Sequence, residues 1–210
     1  MPGKNTRLLG GKPLVAWSVA AAKQSTLLDR CVLSSDDEHI ISIVEEFGGD
    51  VPFRRPAELA SDETTAAAVV CHALQQIPGY DYVVLLQATS PAREGIDIDG
   101  SIRLCIDATA RSCVSVCEPA KSPYWMYQID GENRLIPLFP HDHDTPRRQQ
   151  LPPSYVLNGA VYVVRTEAML EHKRFVFDDS VAYVMPYDRS VDIDSEADLV
   201  LANRVLKSVE

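Results

Sequence analysis

An α/β fold, a mainly parallel sheet covered by helices, is the architecture this sequence predicts. Along most of its 210 residues the apolar positions alternate between strand-like and helix-like periods, the pattern that helices laid over a parallel sheet require. The run YVVLLQ at 82–87 is almost continuously apolar, as a strand covered on both faces is, and the expectation is that it lies at the centre of the sheet. With 46% hydrophobic residues, the chain can fill one sizeable core and still make a small excursion from it.

The elements follow in order. Residues 13–25 (PLVAWSVAAAKQS) read as a buried helix with Pro13 at its first turn, and 31–33 (CVL) as a short strand. Asp36 or Asp37 caps a helix that runs to Phe47 and is closed by Gly48-Gly49. After Val51-Pro52-Phe53 comes the loop RRPAELASDETT, then a helix over 67–75 whose first turn is acidic, which sets Arg54 and Arg55 at a strand end. The strand at 82–87 leads through a loop at 88–95, containing Pro91 and Arg93, into a helix over 98–108 and a strand over 112–117. Between about 118 and 157 prolines, Trp125, tyrosines and mixed charges replace this rhythm, so the segment reads as an excursion within a single domain spanning 1–210. Strands at 158–164 and 181–185 and a last helix at 195–206 return to the sheet. Residues 1–12 carry no apolar run, although a strand should feed the first helix; the expectation is that this strand lies upstream of Met1.

Charge and cysteine usage narrow the partners. A net charge of −10 repels phosphate polymers and anionic membranes, whereas Arg54-Arg55 and Arg147-Arg148 gather cations suited to a small anionic ligand. Five cysteines, odd in number and without metal-type spacing, fit a reducing, cytoplasmic compartment. No apolar run approaches 18 residues and no leader pattern opens the chain, so neither secretion nor a membrane span is expected.

Four groups carry possible chemistry. Asp192 and Asp194 in VDIDSEADLVLAN stand two apart, so on a strand both carboxylates face one side and can hold Mg²⁺ through oxygen; the plainer alternative is that Ser195 and Asp198 merely cap the last helix, and both can hold at once. Lys4 and Asn5 precede Gly10-Gly11-Lys12 and a helix, an arrangement able to face a phosphate, or simply a basic N-terminus. Gln87 to Arg93 (QATSPAR) leave a strand at its carboxyl end, where open α/β sheets bind ligands, unless the loop's Ser and Thr only satisfy local backbone. Arg147-Arg148 can take a carboxylate in bidentate fashion or be solvated. The nearby His141 and His143 lack further Cys or His neighbours, which argues against a metal there.

Taken in order, P-G-K-N, L-G-G-K-P-L, R-P-A-E-L-A-S-D, L-L-Q-A-T-S-P-A-R, R-R-Q-Q-L-P, N-G-A-V-Y and V-D-I-D-S-E-A-D resemble the acylneuraminate cytidylyltransferases, or CMP-sialic acid synthetases, from Pro2 to Leu199. The resemblance implies a Rossmann-like sheet of the nucleotidyltransferase type. It also implies transfer of CMP from CTP to the anomeric hydroxyl of a nonulosonic acid, with release of pyrophosphate and Mg²⁺ as cofactor. By the same matching, Lys4 and Asn5 meet the nucleotide, Arg55 with Thr64 or Thr65 reads the cytosine and its surroundings, Gln87 and Asn158 face the sugar, and Arg148 pairs with the sugar carboxylate. Lys4, Asp192 and Asp194 are the implied catalytic set, the two aspartates holding the metal. Because the family often supplies that arginine across an interface, the 118–157 excursion is implied to be a homodimerisation arm, which Trp125 and Tyr127 suit.

The chain departs from the family in three places. Only the end of R-x-x-S-K-x-x-x-x-K-N is present, Val156 stands where sialic-acid enzymes commonly have Arg, and Trp125 where they have Lys, which turns the expected sugar toward a relative such as legionaminic acid. Two other readings compete. D-I-D also looks like the D-x-D of metal-dependent glycosyltransferases, although its position far along the chain argues against that. A nucleotide-binding or assembly module of the same fold, impaired by the absent first strand, is the second.

Overall fold

In the computed structural model, residues 1, 3–61, 63–139 and 147–207 are described, the side chains of 205–207 excepted. Pro2, Asp62, His141 and His143 lie outside them.

The chain opens with a tight hairpin that periodicity did not reveal. β1 (Leu8–Leu9) and β2 (Lys12–Pro13) pair antiparallel across Gly10-Gly11. Both glycines have positive φ, 56° and 76°, which a two-residue hairpin turn demands and side chains resist. α1 (Leu14–Gln24) starts directly after Pro13 and buries Leu14, Val15, Ala16 and Val19. The strand expected at 31–33 reduces to one parallel bridge between Val32 and Asp50. α2 (Glu38–Glu46) is capped by Asp37, whose carboxylate accepts from the backbone N–H groups of His39 and Ile40. α3 (Ala66–Gln76) is capped by Thr65, not preceded by an acidic first turn: the helix begins only after the acidic stretch. β3 (Tyr82–Leu85), α4 (Gly95–Asp107) and β4 (Ser112–Cys117) follow. The α4 helix starts earlier than periodicity suggested because Glu94 and Asp97 cap its first turn reciprocally.

In the excursion, β5 (Tyr127–Ile129) and β6 (Leu135–Pro137) form a separate antiparallel pair. The chain returns as β7 (Val156–Arg165), then α5 (Thr166–His172), too short to show a period, β8 (Val181–Val184) and α6 (Glu196–Lys207).

The main sheet has the order β3-β7-β4-β8. β4 and β8 run parallel, and β7 runs against both β3 and β4, so β3, β4 and β8 share one direction. The α/β class holds, with a mixed sheet in which one long strand is reversed. One expectation is corrected: among the described residues β3 is an edge strand, half-buried throughout, while β4 is buried at every position and β7 is flanked on both sides. The physical reason lies in what side chains report. Tyr82, Val84 and Leu86 pack on the core of Ile98, Ile102 and Val161 under α4, and Val83 and Leu85 on that of Val70, Leu74 and Met169 between α3 and α5. A continuous apolar run therefore records cover on both faces and says nothing about hydrogen-bonded neighbours at the edges.

Candidate active site

The carboxyl end of β3 and the segment after β8 converge. Ile193 is fully buried against Leu9, Leu14 and Leu199 and donates its N–H to the Thr89 carbonyl at 2.8 Å. Asp192 and Asp194 flank it and are both exposed. The segment belongs to no helix or strand ladder, which corrects the expected strand; the alternation it needed, isoleucine buried and both aspartates exposed, is present all the same. Ser195 and Asp198 cap α6 as anticipated: Asp198 accepts from the Ser195 N–H at 2.8 Å and hydroxyl at 2.7 Å, bonds that hold its carboxyl below the ordinary range.

Lys4 sits in a 3₁₀ turn (Lys4–Thr6) that also contains Asn5 and packs against α1 and α2. Its Nζ reaches Asp194 Oδ1 at 2.9 Å, joining two groups that the sequence offered separately. Arg7 and Glu196 make a second bridge between the same segments at 2.7 Å. No hydrogen bond or ion pair within the described residues engages Asp192, whose charge adds to burial in raising the Tyr162 phenol above its ordinary pKa. Two adjacent carboxylates, one of them free of protein donors, are a donor set that suits Mg²⁺, which binds few protein oxygens and completes its shell with water and phosphate.

Arg55 donates to Asp36 Oδ1 at 2.9 Å and holds that carboxyl low. Its Nε and the Ser34 Oγ are buried without a hydrogen-bond partner among the described residues, a desolvation left uncompensated. The Thr65 hydroxyl is engaged in capping α3, and that of Thr64 lies 2.8 Å from Ser61 Oγ.

Gln87 leans on Gly159, where β7 bulges against β4; a Cβ at Gly159 would stand 2.7 Å from Gln87 Oε1, and its φ of 73° also requires glycine. Beneath lies Arg93, only 3% exposed, donating to the carbonyls of Gln87 (2.7 Å) and Ala160 (3.1 Å) and to the Ser18 hydroxyl. Burial lowers its pKa to about 10.

The Asn158 amide is buried, accepting from Ser115 at 2.6 Å and donating to Ser190 at 2.9 Å, so it braces β4 and β7 against the segment after β8. Arg148 lies in the excursion, donating to the Pro119 carbonyl at 3.1 Å with Glu118 3.8 Å away, and lines a shallow pocket with Ser122, Leu151 and Pro152. None of its hydrogen bonds or ion pairs among the described residues reaches Lys4, Gln87 or Asp194.

Sequence reading missed Asp36, Asp97, Arg189 and Ser190. The fully buried Asp97 accepts from Arg189 Nε and Nη2 at 3.0 and 2.9 Å. A signal existed, since Asp97-Ile98-Asp99 repeats the D-I-D of 192–194.

The profile of the cytidylyltransferase family matches residues 1–123. CMP-N,N'-diacetyllegionaminic acid synthase of Legionella pneumophila is 32% identical over 99% of this chain and 90% of its own length. Pseudaminic acid cytidylyltransferase of Campylobacter jejuni is 30% identical over 99% and 90%. N-acylneuraminate cytidylyltransferase of Escherichia coli is 30% identical over 95% of this chain but 47% of its own length. In fold, the chain is similar to CMP:2-keto-3-deoxy-manno-octonic acid synthetase solved with CTP, with a TM-score of 0.72 at 14% identity over 100% of this chain and 94% of that one. Motifs, fold and relatives converge, and the chain belongs to the cytidylyltransferase family, in its acylneuraminate-type group.

Proposed function

We propose that the protein transfers CMP from CTP to the anomeric hydroxyl of a nonulosonic acid and releases pyrophosphate. The observation that carries this reading beyond family membership is the Lys4–Asp194 contact at 2.9 Å, which gathers a cation and two carboxylates beside the loop leaving β3. In-line displacement at the α-phosphorus forms a bond from the anomeric oxygen to phosphorus, breaks the bond from phosphorus to the leaving pyrophosphate oxygen, and releases the hydroxyl proton to water. Such a reaction needs positioning and charge neutralisation more than covalent help.

In this reading Lys4 neutralises phosphate charge, and Asn5 lies in the same turn. Arg55, fixed by Asp36, presents its guanidinium to the nucleotide with Thr64 and Thr65 close in sequence, and Gln87 orients the sugar. Asp192 and Asp194 are the residues to hold Mg²⁺, which when bound supplies charge stabilisation of the phosphates. Arg148 takes the sugar carboxylate from the excursion. A homodimer accounts for the apolar surface that the excursion exposes, including Ile129 (69% exposed) and Leu135 (64%). The five free thiols suit a cytoplasmic setting.

Incubation with CTP, Mg²⁺ and a panel of sialic, legionaminic and pseudaminic acids, followed by pyrophosphate release, tests the reading. Pyrophosphate formed only when CTP and one of these acids are both present is the expected result. No release with any acid, or turnover only of a preformed nucleotide sugar, overturns it. Sedimentation of the protein beside a Leu135→Asp variant tests the dimer: the expected outcome is a shift from dimer to monomer.

A further inference from the structure

The segment from Pro186 to Ser195, which presents Asp192 and Asp194, is neither α-helix nor strand; its only regular piece is the 3₁₀ turn Tyr187–Arg189. Its course is fixed by a few pins. Arg189 forks onto both oxygens of Asp97 at 2.9 and 3.0 Å. The Ser190 hydroxyl receives the Asn158 amide at 2.9 Å. The Ile193 N–H meets the Thr89 carbonyl at 2.8 Å. Of these, the Arg189 pin is the strongest: it is bidentate and charge-assisted, its carboxylate is completely buried, and Asp97 raises the guanidinium's pKa further. Its anchor is rigid, because Asp97 Oδ2 also accepts the Glu94 N–H at 3.0 Å as part of the α4 cap.

Capping α4 accounts for the Asp97–Glu94 contacts without any arginine. It does not account for a fork reaching 92 residues along the chain to a point three residues before the first exposed carboxylate. We infer that Arg189 is a positioning residue for Asp192 and Asp194, with buried Asp97 as its anchor, so that the pair sets the spacing of the two exposed carboxylates. This rests on the reading of those aspartates as the divalent-ion site. Outer residues that orient ligands commonly change metal affinity when removed while leaving the ligands themselves in place.

The experiment measures Mn²⁺ binding by electron paramagnetic resonance in the presence of CTP. It compares the unaltered protein with Arg189→Gln, Arg189→Lys and Asp194→Asn, recording CTP binding without divalent ion and the urea midpoint for each. Arg189→Gln is expected to weaken Mn²⁺ binding about 10–100-fold, with CTP binding in the absence of metal changed less than twofold. Arg189→Lys keeps the charge but cannot fork, so Asp97 keeps a cationic partner that the Gln variant removes, and it is expected to weaken Mn²⁺ binding to a lesser degree. A lowered urea midpoint with unchanged Mn²⁺ affinity in both Arg189 variants, while Asp194→Asn loses the ion, overturns the positioning role and spares the metal site. Unchanged Mn²⁺ affinity in Asp194→Asn overturns both.

Discussion

The tripeptide Asp-Ile-Asp occurs twice, at 97–99 and at 192–194, and the two copies have opposite fates. In the first, α4 carries the residues around its axis and both carboxylates are buried: Asp97 takes Arg189 and caps the helix, while Asp99 accepts from the Ser25 and Thr26 hydroxyls and the Thr26 and Leu27 backbone. In the second, which lies outside helix and strand, both aspartates are exposed. Only the isoleucine is alike, since Ile98 and Ile193 are both fully buried, in separate core clusters. A carboxylate pair becomes available for chemistry through the backbone period beneath it and through what else competes for its oxygens. Spacing alone does not decide this.

The comparison can be broken most forcefully at Asp97. Asp97→Ala should cost about 3 kcal/mol in urea unfolding, the low end for breaking a buried ion pair because the guanidinium keeps some contact with water. The isoleucines should respond alike: Ile98→Ala and Ile193→Ala are each expected to lose about 2–3 kcal/mol, and a large difference would show that one cluster relaxes around its cavity. At Asp99, burial pushes the carboxyl up, but the Ser25, Thr26 and Leu27 donors outweigh it, and its pKa lies below the ordinary value. Its stabilisation is therefore complete above the ordinary aspartate range, near pH 4, and is lost as pH falls through the lowered folded value. Asp99→Asn should flatten that acid limb of the stability profile. The smallest stability effect belongs to Asp192→Asn, within about 0.5 kcal/mol of the unaltered protein, even though turnover is expected to collapse.

How far the sequence could be read follows the same division. Elements with long periods and capping residues emerged nearly as they stand: α1 after Pro13, β4, and α6 behind Ser195 and Asp198. The hairpin at Gly10-Gly11 was too short for a period, although its two glycines were visible. The edge position of β3 could not be seen because hydrogen-bonding neighbours leave no mark on side-chain polarity. In the site, residues whose chemistry is local were legible, the 192/194 pair foremost. The partners that Asn158 takes at Ser115 and Ser190 come from distant segments and left no local signal. Arg189 and Asp97 were missed for the same reason: an ion pair across 92 positions has no periodic signature.

The contact between Lys4 and Asp194 spans 190 positions, and this sets a time as well as a place. At about 5–20 residues per second, a ribosome making this stretch needs roughly 10–40 s between the two side chains. For most of that interval β7 (Val156–Arg165), the strand that joins β3 to β4, is still unmade, and Lys4 waits without its carboxylate. The Lys4–Asp194 pair is thus a late contact in the life of each nascent chain, made only after the long strand β7 has been synthesised.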